Sequence, residues 1–297
     1  MMDIVRKNNV EELELKKIVK ELINIYKINC IPMNEITKLE EIGSGAQAKV
    51  YRAKYFNNLV TLKYFKNIDW KSFANELVIL SNLKHPNIPN FLGIVHDNLS
   101  IGLIFEFILG VPLSKLDFVN FPDSIKLKII KELCSVVEYI HSKSYIHRDI
   151  KPDNILVDVD NNYQLYLIDF GISKVCSSDG EYTFTRIKGT IAYAAPEMMI
   201  DIGSNENDEK FCGINIKTDV WSIGVVISYM YSGHYPWSNK YNFLDPSINQ
   251  LLINKTPFPI PDNINDDRIK KIIELCTIIE NDNRVYIQEI NNLLNMM

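Results

Sequence analysis

The sequence predicts an α+β chain, with short strands gathered mainly in its first part and longer helices mainly beyond. Three observations carry this. Short apolar runs separated by turn residues crowd positions 36–107. Longer stretches with apolar residues at three- and four-residue spacing fill much of the remainder. The 297 residues are 46% hydrophobic and 23% charged, which is enough apolar mass for one large core or for two lobes.

The charge balance narrows the function classes. A net charge of -5 gives no basic excess, so neither nucleic acid nor a membrane surface is an expected partner. The five cysteines, Cys30, Cys134, Cys176, Cys212 and Cys276, are odd in number and include no Cys-x-x-Cys pair. Neither a disulfide framework nor structural zinc is expected, and a reducing interior compartment fits, the cytoplasm first with the nucleus as the alternative. The N-terminus lacks the apolar run of a signal peptide, and no apolar stretch reaches membrane-spanning length.

Taken in order, residues 9–27 are expected to be helical, with Val10, Leu13, Val19, Leu22, Ile23 and Tyr26 at helical spacing. Such a helix packs its stripe on the neighbouring lobe, or serves as a partner-docking or regulatory helix. Ile31-Pro32-Met33-Asn34 breaks the pattern, so residues 1–35 are read as an amphipathic helix and linker. A strand begins near Ile36 and runs into Ile42-Gly43-Ser44-Gly45-Ala46-Gln47-Ala48-Lys49-Val50. Gly43 and Gly45 permit a tight hairpin and a close approach of backbone N–H groups to phosphate. An ordinary hairpin uses two glycines as well.

Residues 59–65 form a strand with one cation, Lys63, among apolar neighbours. A lysine there needs an anion to offset its desolvation. The candidate is Glu76, in a helical run over 70–83 that places Phe73, Leu77, Leu80 and Leu83 on one face. The plainer reading is an exposed strand lysine and a helix-surface glutamate. His85-Pro86 ends the helix, and strands follow at 91–95 and 101–107. A long helix starts at Pro122-Asp123-Ser124 and ends near Ser144. Ile125, Ile129, Ile130, Leu133, Val136, Val137 and Ile140 form its buried stripe, and Cys134 belongs with them.

The chemistry gathers at His147-Arg148-Asp149-Ile150-Lys151-Pro152-Asp153-Asn154. Two apolar runs joined by a turn at Asp160-Asn161-Asn162 follow, then Asp169-Phe170-Gly171. Two short strands therefore hold Asp149, Asn154 and Asp169 near one point. Two oxygen ligands and a nearby base are what a magnesium-dependent phosphoryl transfer needs.

These residues resemble the eukaryotic-type protein kinase family, whose catalytic loop is His-Arg-Asp-x-x-x-x-Asn and whose metal motif is Asp-Phe-Gly. The resemblance covers residues 36–297, and other segments match it. Residues 43–50 resemble the glycine-rich loop, with Ala48 where the third glycine belongs. Lys63 and Glu76 match the family's ion pair, and Ala195-Pro196-Glu197 its closing motif. Asp219-Val220-Trp221-Ser222-Ile223-Gly224 matches the helix whose aspartate holds the catalytic loop. Lys151-Pro152 and Thr190 resemble the serine/threonine-specific branch.

The resemblance implies a two-lobed kinase fold. A small antiparallel β-sheet N-lobe with one main helix spans about 36–106, a hinge about 106–111, and a larger, mostly helical C-lobe about 112–297. It implies ATP and Mg2+ as cofactors and protein substrates with serine or threonine acceptors. In it Asp149 is the base, Lys151 reaches the transferring phosphate, and Asn154 and Asp169 hold magnesium. Residues 42–50, Lys63 and Glu76 serve the nucleotide, with the backbone of Glu106 and Ile108 on the adenine edge. Phe105 narrows the pocket behind adenine. His147 is structural and packs under Phe170, and Glu197 pairs with Arg284. Arg148 implies control by activation-loop phosphorylation, at Thr183 or Thr185, and residues 203–210 read as a surface insert.

Two other readings stand beside the active kinase. A pseudokinase would bind partners or nucleotide without turnover, and only Ala48 points that way. A small-molecule phosphotransferase of the aminoglycoside-kinase kind would lack Ala195-Pro196-Glu197.

Overall fold

A sheet of six strands, counted among the described residues, organises the first of the two units into which the chain divides, Met1–Leu109. The computed structural model describes residues 2–45, 48–65, 68–96, 101–176, 191–198, 214–234, 237 and 256–297. Helix α1 (Met2–Ile25) leads into β1 (Cys30–Pro32). Strands β2 (Ile36–Ser44), β3 (Ala48–Tyr55) and β4 (Asn58–Phe65) follow as a meander. Helix α2 (Trp70–Asn82) comes next, then β5 (Phe91–His96) and β6 (Ile101–Glu106). The strand order is β1-β5-β6-β4-β3-β2, so β4 is interior, with β3 and β6 on its flanks.

The two-residue period of β4 explains its role. Val60 and Leu62 point to one face, where they join Ile31, Ile36, Ala53, Val95 and Ile104 in a buried cluster. Thr61, Lys63 and Phe65 point to the other. There Phe65 meets Phe73 of α2 edge to face, ring centroids 5.3 Å apart. Helix α2 starts at Asp69, whose carboxylate caps it by accepting from the amides of Lys71 and Ser72. Phe73, Leu77, Leu80 and Leu83 are all buried, as their spacing implies.

One expectation is corrected. The stretch read as a linker from Ile31 begins inside β1, which pairs parallel to β5 with Ile31 opposite Val95. Its other end is a turn of 3-10 helix, Met33–Glu35. The sheet is therefore antiparallel except along this edge. Three residues are too few to show a period, and a proline reads as a breaker. At the edge of a sheet, however, Pro32 need not donate to a further strand.

The second unit, Gly110–Met297, is mostly helical. It holds β7 (Val111–Pro112), α3 (Asp123–Ser142), β8 (Tyr145–Ile146), β9 (Ile155–Asp158), β10 (Gln164–Leu167), β11 (Lys174–Val175) and α4 (Lys217–Ser232). Helices Asp267–Cys276 and Ile287–Asn295 complete the described part. The predicted stripe of α3 is buried from Ile129 to Ile140, Cys134 included. Helix α4 is buried on every side, which makes it the pillar of this unit. Gly224 lets a neighbour in close: a Cβ there would lie 2.5 Å from the Cys276 Cβ.

Candidate active site

In the second unit the site is built outward from one buried carboxylate. Asp219, in the first turn of α4, has no exposed surface. Its oxygens accept the amides of His147 (2.9 Å) and Arg148 (2.8 Å), and His141 Nε2 at 2.9 Å. Arg148 takes a left-handed backbone conformation, φ +70, which a non-glycine residue rarely adopts. The amide bonds to Asp219 hold it there.

Burial by itself raises the Asp219 carboxyl. The His141 hydrogen bond and charge, and the Arg148 amide, outweigh burial and leave it below the ordinary carboxylate range. A depressed carboxyl contributes stability that is complete above its unfolded value and is lost as pH falls through the folded one. Asp219→Asn is therefore expected to cost about 3 kcal/mol at neutral pH, since bonds to a charged acceptor are worth about 1.5–3 kcal/mol each. The gap from wild type should narrow as pH falls below the ordinary carboxylate range, read by urea unfolding. A gap of constant size would exclude the ionised carboxylate as its source.

Beyond Arg148 the chain turns through a 3-10 segment, Pro152–Asn154, with proline at its start. This brings three predicted residues together. Lys151 Nζ donates to both oxygens of Asp149, at 2.9 and 2.8 Å. Asn154 Nδ2 donates to the Asp149 carbonyl at 2.8 Å and to its Oδ2 at 2.7 Å. Burial pushes the Asp149 carboxyl above its ordinary range, and the bonds and charge of Lys151, then His147 and Asn154, pull it part of the way back. A half-buried carboxylate with a raised proton affinity suits a base.

Asp169 is tied to this turn through a ladder. Strands β9 and β10 pair with Ile155 opposite Leu167, and the Ile168 amide then donates to the Asn154 carbonyl at 2.9 Å. Asp169 follows directly, at φ +65 and exposed, with its Oδ1 accepting the Gly171 amide at 3.2 Å. Because the Asn154 amide donates through nitrogen, its oxygen is the atom it can offer a metal. An amide oxygen and a carboxylate are hard donors that fit Mg2+, which keeps its remaining positions for phosphate and water. Among the described residues no cluster of three or more His, Cys, Asp or Glu has metal-binding geometry.

His147 is placed as the sequence implied. It is fully buried, its ring lies edge-on to Phe170 with centroids 4.9 Å apart, and Nε2 is 3.2 Å from the Ile168 carbonyl. Burial lowers its pKa, so the ring is neutral and structural. Sequence reasoning missed His141. It lies 78 positions from Asp219, and its place in the last turn of a helix gives no local cue.

In the first unit, Lys63 Nζ and Glu76 Oε1 are 2.6 Å apart, with side chains only 15% and 4% exposed. The plainer reading of two separate surface residues is therefore wrong. Gly43 pairs with Val50 and Ser44 with Lys49, and the Gly45 amide donates to the Ala48 carbonyl at 2.9 Å, closing the hairpin. Ile42 is exposed, Ala48 is buried, and Lys49 pairs with Glu41 at 2.6 Å. At the end of β6 the Glu106 carboxylate accepts the Asn90 amide and side chain, and the Glu106 amide donates to the Asn90 carbonyl. Ile108 is half-buried beyond it. Phe105 packs on Phe91, ring centroids 5.7 Å apart.

The predicted Glu197–Arg284 pair is present, doubly hydrogen-bonded at 2.8 and 3.1 Å and buried. It is structural. Ala46, Gln47, Thr183, Thr185, Thr190 and residues 203–210 lie outside the described residues. No helix among the described residues is long and apolar enough to cross a membrane.

Comparison with known proteins agrees with this geometry. The family model of the protein kinase domain matches residues 36–294. Mitogen-activated protein kinase kinase kinase 2 of Arabidopsis thaliana is 34% identical over 200 residues, which is 66% of this chain and 29% of that protein. The Aurora kinase of Debaryomyces hansenii is 30% identical over 275 residues, 89% of this chain and 62% of that protein. The serine/threonine-protein kinase RAD53 of Saccharomyces cerevisiae is 32% identical over 217 residues, 68% of this chain and 26% of that protein. The chain thus spans less than two thirds of the length of each of these relatives.

Proposed function

Because the chain belongs to the eukaryotic-type protein kinase family, on its serine/threonine branch, we propose that it transfers the γ-phosphate of ATP to serine or threonine hydroxyls of protein substrates. The observation that carries this reading is the convergence of Lys151 and Asn154 on the Asp149 carboxylate.

Phosphoryl transfer passes through a loose transition state with charge spread over the moving oxygens, so the protein contributes position and counter-charge. Asp149 orients the attacking hydroxyl and takes its proton. Lys151 offsets charge on the transferring group. Asn154 and Asp169 are the residues that would hold magnesium, which when bound neutralises the phosphates. Lys63 holds the phosphates, and Glu76 keeps that ammonium in place. Residues 42–50, Ala46 and Gln47 among them, serve the phosphates, and the backbone of Glu106 and Ile108 meets the adenine edge. ATP and Mg2+ are the cofactors of this reading, and arginine-guided ordering by phosphate at Thr183 or Thr185 its mode of control.

The second reading, a pseudokinase, is favoured by Ala48 at the third glycine position. One experiment separates the two: transfer of radiolabel from ATP to a mixed protein substrate, wild type beside Lys63→Ala. Wild type is expected to label substrate, and Lys63→Ala to fall by about 10²-fold or more, the scale of losing one preorganised donor. Equal, background-level labelling by both would leave the pseudokinase.

A further inference from the structure

Residues 2–35 precede the stretch that matches the kinase family, yet they belong to the first unit and grip it at three places. Lys16 Nζ stands 5.1 Å from the centroid of the Trp70 ring. Glu12 holds that ammonium at 2.6 Å and also hydrogen-bonds to Trp70. Just past the end of α1, Tyr26 Oη accepts from Asn82 Nδ2 at 3.3 Å. Trp70 and Asn82 are the first and last residues of α2. Ten positions of helix from Lys16 to Tyr26 span about 15 Å, and the twelve from Trp70 to Asn82 about 18 Å. The two helices therefore run side by side in the same direction and are fastened at both ends, with Val19 buried between the fastenings.

The third grip is on the sheet. The Asn29 carbonyl accepts the Ile94 amide at 2.9 Å, and β1 continues parallel to β5. Ile31 then enters the cluster on the sheet face away from Lys63. Gly93 is shaped for this crossing: its φ is +144, and a Cβ there would lie 2.3 Å from the Asn29 carbonyl oxygen. Position 93 lies inside the family match but is fitted to a segment outside it.

Glu76 sits midway along α2. A helix that rolls or slides on a sheet carries its side chains with it, and an ion pair held at 2.6 Å and nearly dry loses most of its attraction over a few ångströms. We propose that residues 12–33 are a splint that fixes α2 against the sheet and so holds Glu76 on Lys63, with Lys16, Tyr26 and Asn29 as positioning residues. The proposal rests on the reading of Lys63 as the lysine that holds ATP phosphates.

The test uses the full chain and two readouts, amide hydrogen exchange and magnesium–ADP affinity by calorimetry. In a Lys16→Met/Tyr26→Phe variant, amides 73–80 are expected to exchange about threefold to tenfold faster, the scale of one cation–π contact and one hydrogen bond. ADP affinity should fall by a similar factor while the melting temperature moves by less than about 2 °C. Lys16→Arg/Tyr26 should restore both. In a Lys63→Ala background the same variant should still loosen α2 but leave ADP affinity unmoved. Unchanged exchange in α2 overturns the splint, as does faster exchange spread over β2–β6 with a lowered melting temperature. A wild type that binds no magnesium–ADP would refute the kinase reading, while the exchange of α2 would still decide the splint.

Discussion

Asp149→Ala is expected to lower phosphoryl transfer by about 10³-fold, within the range of about 10²–10⁴ that a positioned general base supplies. The substitution removes the acceptor for both bonds from Lys151 and for the side-chain bond from Asn154 at 2.7 Å. It leaves the Asn154 bond to the Asp149 carbonyl and the anchoring amides of His147 and Arg148 in place. The loop should therefore keep its path, and magnesium–ADP should bind within about threefold of wild type, as a lost transition-state interaction requires. The wild-type pH profile gives a second check. Burial raises the Asp149 carboxyl, so activity should fall on acidification at a pH above the ordinary carboxylate range. Asp149→Ala retaining more than about a tenth of wild-type turnover would remove the base role.

Arg284→Met is expected to cost about 3–5 kcal/mol of stability, the usual penalty for stranding one partner of a buried ion pair. Arg284 is 1% exposed and uses its guanidinium fully. Nη1 donates to Glu197 and to the Lys217 carbonyl, Nη2 to Glu197 and to the Ile279 carbonyl, and Nε to the Ile278 carbonyl. Its Cζ also lies over the Trp221 ring, 5.2 Å from the ring centroid. Methionine fills the volume and satisfies none of these acceptors. Against a total of about 5–15 kcal/mol for a domain, the loss should be plain in a urea melt. The double variant Glu197→Leu/Arg284→Met should be less damaged than Arg284→Met alone, because no charge is then left buried. A single variant costing under about 1 kcal/mol would mean that the pair is not what fastens Glu197.

How much of this was legible in the sequence depended on distance along the chain. Asp149, Lys151 and Asn154 fall within one turn, so their spacing is almost their geometry. Asp169 follows because two short strands and a tight turn allow only one pairing. Lys63 and Glu76 were readable by a different route, since a cation inside an apolar strand demands an anion nearby. His141 was invisible, because its partner Asp219 is brought to it by tertiary packing of α3 and α4 and by nothing local. Strand β1 was invisible for the opposite reason. Three residues carry no period, and what makes them a strand is the open edge of β5.

The pairing of β9 with β10 works as a ruler. Its turn carries Asn162 and Tyr163 at φ +53 and +56, and a longer connection there would cost only about 0.6 kcal/mol for each doubling of its length. A single residue gained or lost inside either strand is another matter, because side chains alternate between the two faces. Such a slip would rotate Asp169 away from Asn154 while the core still closed. Insertions in the turn between Asp158 and Gln164 should thus be tolerated, and a single-residue insertion within Ile155–Asp158 or Gln164–Leu167 should give a folded but silent protein.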